Sequence, residues 1–365
     1  MGSDGPRGQE VPGDRRSAEV ALVKLARDGD SEAFGELAGW YRPELRAHCY
    51  RMLGCVHDAE DALQEALVRA WRGLGGFEFR SSVRSWLYAI ATNAALDITR
   101  HRSRRELPVD FSAGSAPGAS LESPLTELPW LEPYPDQWLA PVPFASPEAS
   151  YDQRESIELA FLMALQHLAP RQRAALLLRE VAGFSAEEIS GQLTMSVPSV
   201  NSALQRARAA VRDRLPAHSQ QTELHQLGDR RIRELAARYA DALERGDADT
   251  LISMLTEDAS WSMPPIPTWF TGHSAIREFL NRYPLTLPWR HAPARANGQL
   301  AFGCYLPAPD GRGFVPAVID VLTLRGDRIA AVTGFQVDPA VAPPPHGWVT
   351  GAEVFEHFGL PATLD

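Results

Sequence analysis

The chain has 365 residues, 44% of them hydrophobic, enough for two or three small domains each with its own core. A formal charge of −10 at pH 7 excludes a protein coated in Lys and Arg that binds any polyanion, but it leaves room for local basic patches beside acidic surface facing a protein partner. Three cysteines (Cys49, Cys55, Cys304) are too few for a disulfide framework, no apolar run is long enough to cross a bilayer, and MGSDGPRGQEVPGDRRS at the start lacks the apolar segment of a signal peptide, so a cytoplasmic location is expected.

Residues 17–105 read as a helical domain. Ser17 to Arg27, Ser31 to Met52 and Asp58 to Arg72 carry apolar residues at helical spacing, with Leu63, Leu67 and Trp71 on one stripe of the third and Asp58, Asp61, Gln64 and Glu65 on the other side. The Gly-rich loop GLGGFEFRSS follows, with Phe77, Phe79 and Arg80. The next helix has an apolar stripe at Val83, Leu87, Ile90, Ala94 and Ile98 and presents Trp86, Asn93, Asp97 and Arg100 elsewhere before the basic end HRSRR. Aromatic faces that stack on bases, next to guanidinium groups that hold phosphates, suit an unstacked DNA strand.

Residues 106–150 form a tether with seven acidic residues, nine prolines and no Lys, Arg or His. Such a composition cannot build a core and favours extended backbone. WLEPYPDQWL (Trp130 to Leu139) is too aromatic for a spacer and is expected to dock on a neighbouring domain.

Residues 151–216 read as a second helical domain. Ile157, Phe161, Leu165 and Leu168 keep helical register, APRQRAALLLREVAGF continues the bundle, and Ser185 with Glu188 forms a capping box opening a helix with Ile189 and Leu193 inward. Thr194 and Met195 make a turn, Ser196 caps, and Pro198 sits in the first turn of a helix whose buried stripe is Val200, Leu204, Ala207 and Val211. Ser199, Ser202, Gln205 and Arg206 fall on its far side, with Asn201 and Arg208 at the margins. Short polar groups first and arginines later suit a recognition helix in a major groove.

From 228 to 340 the pattern turns α+β. Ile232, Leu235, Tyr239 and Leu243 mark one helix, Leu251 and Leu255 a second, and Ala275 to Arg282 a third. Alternating stretches around Leu300 to Leu306, Val315 to Leu324 and Arg328 to Val337 read as strands, the last two joined through Gly326-Asp327. Residues 341–365 form a tail.

DAEDALQEALVRAW followed by FRSSVRSWLYAIATNAALD closely resembles region 2 of the sigma-70 family, in the extracytoplasmic-function (ECF) class, and FSAEEISGQLTMSVPSVNSALQRARAAVRDRL with its preceding helices resembles region 4. DALERGDADTLISMLTEDASWSMPP and WFTGHSAIREFL resemble the SnoaL-like, nuclear-transport-factor-type cone. The tail HGWVTGAEVFEHFGLPATLD is similar to that of an actinobacterial ECF group with a Pro-rich linker, and the DGGGR-type string of another SnoaL-bearing group is not found. The resemblance implies a multidomain chain: two all-α helical domains, then an α+β SnoaL-like cone. It implies a sigma factor, not itself an enzyme, that binds core RNA polymerase through Asp61, Gln64 and Glu65. It would read the −10 element with Phe77, Phe79, Arg80, Asn93, Asp97 and Arg100, and the −35 element with Ser199, Asn201, Ser202, Gln205, Arg206 and Arg208. The acidic tether would thread a nucleic-acid channel of polymerase.

Trp261, Met263, Trp269, Phe270 and His273 are candidates for the wall of an apolar cavity that could take a small-molecule ligand, and regulation is the expected role of the cone. Two other readings stay open: a ligand-sensing DNA-binding regulator that never docks on polymerase, and a SnoaL-type enzyme using Asp320, fused to DNA-binding domains. No cofactor or metal is expected, because His48, Cys49, Cys55 and His57 lack C-x-x-C spacing and no phosphate-binding G-x-x-x-x-G-K-S/T loop occurs. The promoter sequence, the signal, the oligomeric state and an anti-sigma partner are not fixed by these residues.

Overall fold

A computed structural model describes residues 12–100, 102–139, 153–337 and 350–365. Readings that fall on residues 1–11, 101, 140–152 and 338–349 lie outside the described residues.

The first bundle contains α1 (Pro12–Arg27), α2 (Ser31–Leu53), α3 (Val56–Gly73) and α4 (Val83–Thr99). Local chemistry sets their ends. The Asp30 carboxylate accepts from the Glu32 and Ala33 amides to open α2, and Gly54, at φ 70°, closes it. A Cβ on Gly54 would stand 2.9 Å from Leu131 Cδ1, so packing as well as φ demands glycine there. The Ser82 hydroxyl caps α4.

A short turn, α5 (Pro108–Phe111), lies in the tether. The second bundle is α6 (Leu159–Gln166), α7 (Pro170–Leu176) with a wide helical turn over Leu177–Val181, α8 (Ala186–Leu193) and α9 (Val197–Arg212). Both halves of the Ser185–Glu188 capping box form, and Thr194 takes the left-handed conformation that ends α8.

The third unit opens with α10 (Gln220–Glu244), broken at Gly228, and α11 (Ala248–Met254). Its sheet runs β1 (Leu255–Met263), β2 (Ile266–Thr271), β3 (Arg290–Ala296), β4 (Gln299–Pro307), β5 (Phe314–Arg325) and β6 (Arg328–Gln336) in the spatial order β2-β1-β6-β5-β4-β3. Only β1 and β6 pair in parallel. Helix α12 (Gly272–Arg282) packs with α10 on the inner face, whose core includes Tyr239, Trp261, Phe279, Phe302 and Leu322. On the outer face, the C-terminal helix α13 (Gly351–His357) lies so close that a Cβ on Gly303 would reach 2.5 Å from Leu360 and 2.8 Å from Phe355.

Alternation puts Ala301, Ile319, Val321 and Phe335 on that outer face. They belong to one continuous core with both helical bundles and the tether residues Leu131 and Tyr134. A sheet apolar on both faces must be covered on both, and the bundles supply the second cover.

Polar contacts at this junction are buried and paired. Arg51 donates to the carbonyls of Ser156 and Gln153, each at 3.2 Å, and Arg173 reaches the Met52 carbonyl and the Gln166 side chain. Glu158 accepts from the Gln220 and Gln221 amides at 2.8 and 2.9 Å, so the second bundle caps the first helix of the third unit. Burial pushes the Glu158 carboxyl up to about 7 against the pull of those bonds.

The β3–β4 turn is Asn297-Gly298, both at positive φ, and its tip enters the junction. Asn297 Oδ1 accepts from the Tyr134 amide (2.9 Å), while its Nδ2 donates to the Tyr50 hydroxyl (3.0 Å) and the Ile157 carbonyl (2.9 Å). Its own amide donates to the Tyr134 carbonyl. One side chain therefore ties the first bundle, the tether and the second bundle to the sheet.

Three expectations are corrected. Asp58, placed on a solvated face, is buried and ion-paired to Arg105 (2.5 Å) and Arg102 (2.8 Å), because the basic segment between α4 and the tether folds back over the first turn of α3. Trp71, placed on the inward stripe, is 37% exposed and leans on Phe34 at 5.1 Å. Strands β1, β2 and β3 occupy stretches that carried no strand assignment. WLEPYPDQWL does dock: Trp130 and Tyr134 are buried, with Tyr134 against Tyr50 at 4.5 Å.

Asn297→Gly keeps the turn geometry but strands the Tyr134 amide and the Ile157 carbonyl, each orphan costing about 1–3 kcal/mol. The first urea-unfolding transition should fall by roughly 2–6 kcal/mol on that basis, and small-angle scattering should report a larger radius of gyration. Unchanged values in both would remove the turn from its joining role.

Candidate nucleic-acid interface

On α3, buried Ala62, Leu63, Ala66 and Leu67 leave a solvent stripe of Asp61, Gln64, Glu65, Val68 and Trp71. Asp61 is paired with His57 at 3.4 Å and Glu65 with Arg69 at 2.7 Å. Arg69 also binds Asp97 of α4 at 3.0 Å, and Asp97 holds Arg100 at 2.9 Å. A chain of opposite charges thus runs from the acidic stripe of α3 to the basic end of α4.

In the loop before α4, Phe77 is buried, its ring 4.9 Å from both Phe79 and Trp86. Phe79 is 40% exposed with φ 57°, a conformation costing a bulky L-residue about 1–3 kcal/mol. Phe77 is thus the post, and Phe79 with the outlying Arg80 is the surface. Among the described residues Arg80 pairs with Glu78, at 2.6 Å. Asn93 is exposed and donates to the Ala89 carbonyl.

On α9, Ser199, Asn201, Ser202, Gln205, Arg206 and Arg208 are all exposed, while Val200, Ala203, Leu204, Ala207 and Val211 are buried. Ser196 caps the helix through the Ser199 amide, and Arg208 is steadied by Glu180 at 3.0 Å. The two bundles are clamped together behind these faces. Arg84 of α4 binds Glu44 and the Ala182 carbonyl (2.8 Å) and lies over the rings of Tyr88 and Phe184, and Gln192 donates to Ser85. His48 sits behind this contact, bonded to Thr92 at 2.9 Å, and burial, helped by Arg51 and Arg84, holds its pKa down at about 3.

The five cone candidates separate. Trp261, Met263 and Phe270 are in the inner core, Phe270 stacked on Phe279 at 4.8 Å. Trp269, the alternate residue on β2, points the other way and donates to the Ser112 carbonyl of the tether, and His273 bonds the Thr256 carbonyl at the start of α12. The inner face instead brings together Asp320, Tyr239 and Cys304. Asp320 accepts from the Tyr239 hydroxyl at 2.8 Å, and burial pushes its carboxyl up to about 6 despite the opposing pull of Tyr239 and Cys304. Tyr239 and Cys304 as partners of Asp320 were not legible beforehand, since they reach it from a helix and a neighbouring strand.

Residues 37–105 match the family Sigma-70 region 2, residues 158–211 match Sigma-70, region 4, and residues 236–332 match the SnoaL-like domain. The ECF RNA polymerase sigma factor SigG of Mycobacterium tuberculosis (strain ATCC 25618 / H37Rv) is 39% identical over 341 residues, covering 93% of this chain and 86% of that protein. The chain belongs to the ECF class of sigma-70 factors. As such it works with RNA polymerase to direct promoter-specific transcription initiation. The ECF RNA polymerase sigma factor SigJ of the same organism is 26% identical over 310 residues, covering 80% of this ECF factor and 88% of SigJ. The crystal structure of Mycobacterium tuberculosis SigJ shares the fold, with a TM-score of 0.53 and 21% identity over 85% of this chain and 99% of that one. Among the described residues no helix is long and apolar enough to cross a membrane.

The raised pKa of Asp320 gives a pH signature. Below about pH 4 the carboxyl is neutral folded or unfolded and its stabilising share is complete; as pH rises through about 6 that share is lost, up to about 3 kcal/mol for a rise from 3.8 to about 6. Asp320→Asn keeps an acceptor for Tyr239 and removes the titration. The stability of this variant relative to wild type in urea should climb between pH 4 and 7 and then level, whereas a constant difference would mean Asp320 does not titrate there.

Proposed function

We propose that the sigma activity is divided among three surfaces, with the cone governing their arrangement. Asp61, Gln64 and Glu65 meet core polymerase, and the neighbouring Val68 and Trp71 add apolar area to an otherwise acidic contact. Phe79 and Arg80, with Asn93, Asp97 and Arg100, meet the −10 strand, Phe77 serving as the post on which Phe79 rests. Ser199, Asn201, Ser202, Gln205, Arg206 and Arg208 meet the −35 duplex. The observation that carries this division is exposure: the polymerase and −35 candidates face solvent on helices whose intervening residues are buried.

The cone's part follows from the junction. Asn297 and Glu158 hold the two DNA-reading bundles in one arrangement, and the Arg84 cluster seals them. Polymerase or promoter DNA that favours a different spacing must break these bonds, so the cone sets the equilibrium between closed and engaged states. Its role is regulatory, and Asp320, spent on Tyr239 and Cys304, is read as a structural acid rather than a catalytic one.

Two sets of variants test the division in one titration series. Reversing Asp61 and Glu65 to Arg should weaken core polymerase binding at least tenfold, the equivalent of about 1.4 kcal/mol. Gln205→Ala with Arg206→Ala should leave core binding intact and weaken promoter binding by about 1–3 kcal/mol for each base that is no longer read. Core binding that survives the reversal would displace α3 as the docking face.

A further inference from the structure

The tether leaves the first bundle just after Arg105, which Asp58 of α3 holds, and is attached to the junction through Tyr134. Between these anchors, residues 112–125 run along β2, which is the edge strand of the sheet. Among the described residues, the hydrogen bonds this stretch makes outside the tether go to the C-terminal domain. The Ser115 amide donates to the Trp269 carbonyl of β2 (2.8 Å), making one isolated bridge, and the Leu125 amide to the Pro265 carbonyl just before β2 (2.9 Å), so the tether takes up backbone acceptors at the open edge of the sheet. The Glu122 amide donates to Thr268 Oγ1, and Arg282 of α12 grips the Gly118 carbonyl at 3.0 Å and the Ser120 hydroxyl at 3.4 Å. Ala119 and Leu121 rest against the inner core of the cone.

Two glycines show that this fit is specific. A Cβ on Gly114 would come 3.0 Å from Thr271 Cγ2 and 3.2 Å from the Trp269 ring. Gly118 has φ +77°, and its Cβ would meet Glu278 Oε2 at 3.1 Å. A spacer needs no glycine at either place, whereas a ligand lying flush on an edge strand needs both.

We infer that the β2 edge and α12 form a peptide-docking site whose occupant is the tether segment 112–125, and that core polymerase and this edge compete for that segment. The inference rests on the reading that the acidic tether enters a channel of polymerase. A strand bonded to β2 cannot at the same time lie in such a channel, so release of the strap is a step of assembly. The cone then restrains the factor through the tether as well as through the Asn297 junction.

The test is backbone hydrogen exchange on the full chain, alone and bound to core polymerase, read at the Ser115, Glu122 and Leu125 amides. These amides should be protected in the free protein and exchange rapidly in the complex. Gly118→Ala strains only the docked strap, and Arg282→Ala removes its clamp. Either should speed exchange of the strap in the free protein, leave the cores of both bundles protected, and raise affinity for core polymerase roughly five- to thirtyfold, the factor that accompanies one or two kcal/mol. A strap that stays protected in the complex overturns the inference, as does a strap loosened by both variants with no change in polymerase affinity. Failure of the underlying reading looks different: the strap is released, yet a photocrosslinker at Leu125 marks no channel residue of polymerase.

Discussion

Everything at the centre of this molecule depends on satisfying one amide side chain. Asn297 carries its donors and acceptor into a place without water, and they are met by the Tyr134 amide, the Tyr50 hydroxyl and the Ile157 carbonyl. Each of these belongs to a different segment, so the Asn297 bonds close together or break together. The left-handed turn that delivers it leaves no room for drift: at Gly298 a Cβ would be 2.9 Å from the Arg154 carbonyl oxygen. Tyr134, brought in by the same bonds, packs at a tilt against Tyr50 and closes the apolar core behind it.

Around that centre the buried arginines share a logic. Arg51, Arg105 and Arg173 lie far from bulk water, and each donates to at least one backbone carbonyl contributed by another segment. A guanidinium with five donors suits this task, since one residue can satisfy several carbonyls at a helix end. The faces proposed to meet DNA use arginine in the opposite way: Arg80, Arg100 and Arg206 stay at the surface. The net negative charge of the chain is compatible with these arginine-bearing faces because charge is local: the tether alone carries seven acidic residues and no Lys, Arg or His.

Much of the two bundles was legible because helical periodicity and caps are local. The α9 face follows from a 3.6-residue period, and the capping box at Ser185 was readable from four letters. What escaped was non-local. Asp58 looks solvated within its own helix and becomes buried only through Arg102 and Arg105, more than forty residues on. Strand β3, RHAPARA, is polar and contains Pro293, as an edge strand can. Without it the Asn297-Gly298 dipeptide, a strong hairpin signal, had no second strand to join. Strand β1 starts where α11 stops, with no loop to separate them. Missing β2 also concealed that Trp269 and Phe270 must face opposite sides, which placed Trp269 and His273 in a cavity wall they do not share.

The position of the turn along the chain has a consequence for how each molecule is made. Domains fold as they leave the ribosome, and synthesis proceeds at about 5–20 residues per second. The last residue of α9 is Arg212, whereas Asn297 comes 85 residues later. A nascent chain therefore carries both DNA-reading bundles for roughly 4–17 s before the residue that fastens them has been added. Every newborn copy passes through an unfastened period whose length is written into the spacing between α9 and the β3–β4 turn.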